Sequence, residues 1–494
     1  MPQPIIRPDS AEFPCFITKL PPELIATILK YPDIELGDIL RVRRTCKYLA
    51  EVTRTKELWW RILHRYTDNP SRFLHLERPL ELYTAEELEN HFLRRKGAEI
   101  GWRSGDENPT RVRNFQSGQA LAMHLLQGGR WLLVTTRTGS VTYYDLEEDT
   151  IIGLPLIPDQ LTNQRRNHAE MAAEIDTKSP IPSFNLALAL VKSAPNRVSS
   201  DTWVRMIQIW RIDLVLGNQR GDKLSATHLV SFPLPDFVSE IRSLSILGCQ
   251  VSYCANCVYR SFVEYAAFVA DWTRAKEAPL AYPMHIIPLY DTTENLDLLP
   301  KNRIIAVLVG DVRLYDFSNV PELKLNELPM SHLSELVDAI HPLWRSERSV
   351  SRRICYMSQL YDHQYFVLQT SRRVYLAVIN EDNHAHPPIQ MVEVFNLPTS
   401  IRYKGKLRIG AASSFFINHP TRATLISYFW SSKPQRLYAR QGSFVEISHK
   451  SLPPRNRSFP DLGPFVDEHS GHVILSDGAE GAQLIDFSLL YVHK

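Results

Sequence analysis

LPPELIATILKYPDIELGDILRVRRTCKYLAEVTRTKELWWRIL, running from Leu20 to Leu63, reads as a succession of short helices. From Pro22 the apolar residues Leu24, Ile25, Ile28 and Leu29 keep the i, i+1, i+4, i+5 rhythm of one helical face. Pro21-Pro22 stands where a helix start tolerates proline, because first-turn amides have no intrahelical acceptor to lose. Pro32 and Gly37 interrupt the pattern. A second helix is expected from about Asp38 through Ile39, Leu40 and Val42, with Cys46, Leu49 and Val52 continuing it after a kink. Glu57 to Leu63 then makes a short aromatic-rich helix around Trp59 and Trp60.

Towards the carboxyl side, Thr84-Ala85-Glu86-Glu87 spells a capping box, in which the threonine oxygen accepts the N3 amide and the glutamate reaches back. It opens a helix through Leu88, Phe92 and Leu93 that is expected to end near Gly97, with Arg94-Arg95-Lys96 placed favourably for the helix dipole. After Gly105 the period changes. Short runs of Val, Ile, Tyr, Phe and Thr alternate with Gly, Pro, Asn and Ser, as strands and turns do.

A two-strand unit recurs through this second part: WLLVTTRTGSVTYYDL from Trp131, FNLALALV with WVRMIQIWRID from Phe184, and VEYAAFVADW with MHIIPLYD from Val263. It returns as IIAVLVGDVRLYDF from Ile304, YFVLQTSRRVYLAVI from Tyr365, TLISYFWSSKPQRLYA from Thr424 and HVILSDGAEGAQLIDF from His472. An apolar residue followed by Asp closes the second strand at Tyr144-Asp145, Tyr290-Asp291, Tyr315-Asp316 and Ile485-Asp486, where the carboxylate can bond to the adjoining turn. That ending resembles the Trp-Asp close of WD-type blades, and the repetition predicts a β-propeller of seven blades, several with insertions, with six or eight blades as alternatives. A β-sandwich pair or another all-β array is the other reading. In a propeller, Arg111 to Gln116 is placed to supply the strand that closes the ring with the last blade. The expected fold class is therefore α plus all-β. Residues 1–16 form an extended or disordered arm, 17–65 a helical module, 66–108 a helical linker and 109–494 the propeller.

The composition agrees with a globular chain. Of 494 residues 44% are hydrophobic and 22% charged, and 56 basic against 54 acidic residues leave a formal charge of +2, so charge does not point to a nucleic-acid partner. Six cysteines are too sparse for a disulfide scaffold. The start, MPQPIIRPDS, has no apolar core of the kind a signal peptide needs, and the longest apolar runs, Leu186 to Val191 and Ile304 to Val309, are far shorter than the roughly 20 residues of a membrane span. An intracellular location, cytoplasmic or nuclear, without membrane association is expected.

The stretch from Leu20 to Leu63 closely resembles an F-box. The shared features are Leu20-Pro21-x-Glu23-Leu24, Ile28-Leu29, the acidic turn with Asp38-Ile39-Leu40, then Val42, Cys46 and Leu58-Trp59. It departs from the family at Pro32, where an apolar residue is usual, and at Gly37, which lengthens the turn before the second helix. The resemblance implies a non-catalytic substrate receptor of an SCF-type cullin-RING ubiquitin ligase. The F-box would dock on the adaptor subunit and through it on the cullin, and the propeller would recruit a protein substrate. The adaptor-binding residues it implies are Leu20, Pro21, Leu24, Ile25, Ile28, Leu29, Leu40, Val42, Cys46, Leu58 and Trp59, with Leu49 and Ile62 turned inward. In the alternative reading the same residues form the core of a structural cap on a propeller scaffold without ligase output. A propeller enzyme is the third.

Other chemistry is sparse. Cys254-Ala-Asn-Cys257 with Cys249 offers half of a zinc site, but a tetrahedral structural site needs four ligands and no second pair follows. His384-Ala-His386 lies in a polar, proline-flanked loop. No nucleophile elbow, HExxH or phosphate-binding loop is present. No cofactor or metal is expected. Arg137, Arg372 and Arg373 fall at matching hairpin turns, with Arg352-Arg353 ahead of one of them, a pattern suited to an acidic segment but equally to solvent.

Overall fold

The computed structural model describes residues 16–31, 33–67, 76–104, 108–126, 128–161, 167–176, 179, 181–192, 205–217, 221–259, 262–289, 293–308, 311–328, 340–346, 357–360, 363–369, 373–379, 387–396, 407–409, 413–419, 422–428, 445–451, 465–467, 470–476 and 481–489. The readings made for Pro32, Asp291, Arg352, Arg353, Arg372, His384 and His386 lie outside these residues.

Helix α1 runs Pro22–Leu29, with proline in its first turn as expected. Helix α2 is Leu36–Arg43 and α3 is Lys47–Val52, separated by a turn at Arg44 and Thr45. Gly37 does not lengthen the connection. It sits in the first turn of α2, which starts earlier than the sequence predicts because Glu35 and Asp38 form a capping box, the Glu35 amide donating to Asp38 Oδ2 at 3.1 Å. Helix α4 is Lys56–Thr67.

The predicted Thr84 box opens helix α5, Ala85–Arg103, with Glu87 N donating to Thr84 Oγ1 at 3.2 Å and Thr84 N to Glu87 Oε2 at 2.7 Å. The helix continues six residues past Gly97. Both of its glycines face close neighbours: Leu489 N donates to Gly97 O, and a Cβ on Gly101 would lie 1.7 Å from the Phe487 carbonyl oxygen. Gly97, the expected end of the helix, is a contact point instead, and Arg94-Arg95-Lys96 therefore lies mid-helix. Arg94 pairs with Glu147, Arg95 is buried and Lys96 pairs with Glu99.

Among the described residues the strands form seven antiparallel sheets, at 120–157, 167–233, 238–289, 293–345, 357–396, 407–451 and 465–486. Six are four-stranded; the third gains a fifth strand, Glu322–Lys324, on its outer edge. The expected hairpins recur, with two corrections. Phe262–Asp271 and Pro283–Leu289 are the third and fourth strands of their sheet, so the third unit begins one strand later than the others. Arg422–Tyr428 pairs with Ser413–His419 and Val445–Ser451, so the sixth unit begins one strand earlier than its Thr424 spelling suggests.

Inner strands of neighbouring sheets touch in succession, Phe465–Asp467 on Ala120–Leu125, then Asn167–Ile175, Val238–Leu247 and Thr293–Leu299. The array is radial, of the propeller type. Its closing strand is the expected one: Arg111–Gln116 lies antiparallel to Gly481–Asp486, Arg111 opposite Asp486 and Gln116 opposite Gly481. The first and last strands of the sheet-rich part thus share one sheet, whose residues Phe115, Ile474 and Leu484 pack with Met123, Leu132 and Tyr144 of the next.

The Asp residues that close third strands work locally. Asp145, Asp316 and Asp486 each accept, through Oδ1, the amide two residues on, at 3.0, 2.9 and 2.7 Å from Glu147, Ser318 and Ser488.

Candidate functional site

In an antiparallel meander the turns between first and second strands, and after the third, lie at one end of the array, and the hairpins between second and third strands lie at the other. Helix α5 occupies the first end. Ala98 and Trp102 pack with Val473, Leu475, Ile485 and Phe487, Ser488 Oγ meets Arg94 O, and Arg94 pairs with Glu147 just past a third strand. Burial would raise the Glu147 carboxyl, but Arg94 and Arg130 outweigh it and hold it at about 2.

The amino-terminal half of α5 carries the small helices. Ile25, Leu29, Ile39, Leu49, Val52, Leu58, Trp59, Ile62 and Leu63 form one core with Tyr83, Leu88 and Phe92. Trp59 lies at its centre, its ring centroid 6.1 Å from Phe92 and its Nε1 donating to Thr53 O at 3.0 Å. Arg43 closes the same corner. Its Nη2 meets Glu89 Oε2 at 3.0 Å and Thr53 O at 3.1 Å, and Nε meets Thr53 Oγ1 at 3.1 Å.

This packing divides the sequence-derived docking residues. Ile25 and Leu29 are 1% and 4% exposed, and Leu58 and Trp59 are fully buried, so these four build the core. They are removed from the outward set, because a partner reaches them only by unfolding the module. Leu24 and Ile28, on the opposite side of α1, are 51% and 46% exposed, and Pro21 beside them is exposed. Leu20, Val42 and Cys46 are half-buried at the core's margin, and Leu40 is half-buried as well. Leu49 and Ile62 face inward.

Tyr31, 64% exposed, continues the Leu24–Ile28 row and stands outside the sequence-derived set, although its i+3 spacing from Ile28 is a legible signal. The outer face of α1 is thus an apolar stripe on a helix whose inner face is locked. Lys30 pairs with Glu57 of α4, and Tyr48 Oη donates to Leu20 O at 2.7 Å.

Residues 17–65 match the F-box-like family model. The match covers the F-box-like helices, together with the turn leading into α1. No curated protein matches the chain. Solved structures similar to it include the Cps50 (Swd1) β-propeller domain of Myceliophteria thermophila, at TM-score 0.44 and 10% identity over 76% of this chain and 99% of that one. The WD40 domain of SCAP from fission yeast is similar at TM-score 0.36 and 9% identity, over 76% and 83% of the two chains. The RRP9 WD40 repeats are similar at TM-score 0.39 and 9% identity, over 76% and 97%. The radial fold described above rests on strand pairing, independently of these likenesses.

The Cys254/Cys257 pair has a structural account. Three residues apart on one strand, the two side chains point to opposite faces, Cys254 into the core shared with the fourth sheet and Cys257 into the core shared with the second. Burial pushes Cys254 up to about 12 and Cys257 up as well, so both are held as thiols. Among the described residues no group of three or more His, Cys, Asp or Glu could hold a metal ion, and no helix is long and apolar enough to cross a membrane.

Proposed function

We propose that this chain is a substrate-recognition subunit of an SCF-type ubiquitin ligase, itself non-catalytic, working in the cytoplasm or nucleus. The F-box-like helices dock on the adaptor subunit through the outer face of α1, Pro21, Leu24 and Ile28, with Leu20, Leu40, Val42 and Cys46 at its margin. The propeller holds a protein substrate, and the assembly raises the local concentration of substrate near a ubiquitin-charged partner. The observation that carries the reading is the exposure of Leu24 and Ile28 within the segment that matches the F-box-like model, on a helix whose other face is buried. Two large aliphatic side chains half in water, one turn apart on a helix, suit a helical partner.

Because α5 covers turns at one end of the propeller, the end bearing the second-to-third-strand hairpins is the one proposed for the substrate. Adaptor capture tests the reading: purified adaptor retains the wild-type chain and loses a Leu24→Asp/Ile28→Asp variant whose circular dichroism is unchanged. The structural-cap reading draws on the burial of Ile25, Leu29, Leu58 and Trp59 against the linker, and it predicts that even the wild type is not retained.

A further inference from the structure

Glu77 contacts both units of the molecule. Its Oε1 accepts from Trp131 Nε1 at 2.8 Å and its Oε2 pairs with Arg130, at the start of a strand in the first sheet. Its backbone amide donates to Tyr83 Oη at 2.8 Å, and Tyr83 is buried in the helical core with Trp59, Leu88 and Phe92.

Each side of this contact is braced. On the propeller, strand register sets Trp131 opposite Asp145, whose Oδ2 takes Arg130 Nη2 at 2.7 Å, while the guanidinium lies 4.4 Å from the Trp131 ring centroid. On the helical side, the Arg78 guanidinium lies 4.6 Å from the Tyr83 ring centroid and reaches Glu87 Oε1 on α5 at 2.5 Å. Arg130 therefore holds a fixed position whether or not Glu77 is present, and so does Tyr83.

Helix α5 also joins the two units, but attachment along one helix leaves rotation about and bending of that helix as soft motions. A second attachment off its axis removes them. We propose that Glu77 is a positioning residue that fixes the orientation of the F-box-like helices relative to the propeller. In a substrate receptor, as proposed above, this sets the line from adaptor to substrate; the orientation itself is a property of the chain alone, so it is tested without any partner.

The experiment is pulsed electron paramagnetic resonance on the full chain, with spin labels at Glu51→Cys on α3 and Lys276→Cys on the propeller and the label-accessible native cysteines replaced by serine. Glu77→Ala should widen the distance distribution about twofold while the melting temperature and adaptor capture stay as in the parent. Trp131→Phe, which keeps the aromatic ring and removes its donor to Glu77, should widen it less, and Glu77→Gln, which retains hydrogen bonding, should recover most of the narrow distribution. Distributions as narrow as the parent's in Glu77→Ala and Trp131→Phe would overturn the proposal. So would a fall in melting temperature in Glu77→Ala that accounts for the widening, with Trp131→Phe unchanged in width. Failure of adaptor capture by the parent would leave this readout intact and count against the docking proposal alone.

Discussion

Arg43 on α2 and Glu89 on α5 pair across the chain, Nη2 to Oε2 at 3.0 Å, with side chains only 17% and 12% exposed. The pair joins the F-box-like helices to the linker at the point where Trp59 is buried, and the guanidinium lies 5.7 Å from that ring's centroid. Losing one partner leaves the other charge in a largely dry site and leaves Thr53 O with one donor fewer. Arg43→Ala should therefore destabilise the helical unit by about 2–3 kcal/mol. Hydrogen exchange should report this as faster exchange in α3, α4 and the first half of α5, with exchange in the strands unaffected.

The buried core of the helical unit and the outer face of α1 should respond differently to truncation. Trp59→Ala removes a fully buried ring and the donor to Thr53 O, at a cost of about 3–5 kcal/mol. Leu24→Ala, on the exposed side, should stay within about 0.5 kcal/mol of the parent. Urea denaturation followed by far-ultraviolet circular dichroism separates the two, and a Leu24→Ala loss as large as that of Trp59→Ala would mean that the outer face is packed.

The closing strand should govern the stability of the ring. Phe115 is 6% exposed with its ring centroid 5.2 Å from that of Tyr144 in the neighbouring sheet, whereas Val112 on the same strand is 39% exposed. Phe115→Ala should cost about 3 kcal/mol. Val112→Ala should cost well under half of that. Thermal melting of the full chain measures both.

Glu170 makes stability depend on pH. Burial, and then the charge of Glu240 on the next sheet, push its carboxyl up to about 7. Glu240 is itself engaged by Asn256 at 2.8 Å and Arg242 at 2.9 Å, with His168 Nε2 at 3.8 Å. A carboxyl raised above its ordinary value of 4.5 contributes its stability in full below pH 4.5 and loses it as pH rises through about 7. Glu170→Gln should therefore be more stable than the parent at pH 8 by about 2–3 kcal/mol relative to the difference at pH 4.5. Denaturation midpoints at the two pH values give the comparison.

Much of this architecture is legible in the chain because it is local. The Thr84 capping box, the strand hairpins and the Asp that ends a third strand at Asp145, Asp316 and Asp486 are spelled within a few residues, and the match of Arg111–Gln116 to the last sheet follows once a ring must close. What escapes is long-range. Periodicity finds the apolar residues of α1 but not which side faces the linker, so it groups Ile25 and Leu29 with Leu24 and Ile28 although they point the other way.

Arg43 and Glu89 lie 46 positions apart, and Glu77 and Arg130 lie 53 apart, distances over which charge patterning carries no signal. Gly37 and Gly97 read as breaks because glycine usually is one, and Gly101 carries no signal of its own. Here a Glu35–Asp38 box starts a helix through the first, and close approach of the Phe487 backbone requires the last.

The central claim, docking through the outer face of α1, is tested most directly by titrating purified adaptor into the full chain by calorimetry. Three forms are compared: the wild type, Leu24→Asp/Ile28→Asp, and Leu154→Asp, which places the same charge on a 40% exposed apolar residue of the propeller. The account predicts saturable binding by the wild type, at least a hundredfold loss in the folded α1 variant, and no change in the propeller variant. Wild-type binding that survives Leu24→Asp/Ile28→Asp unchanged, or the absence of any binding by the wild type, would contradict it.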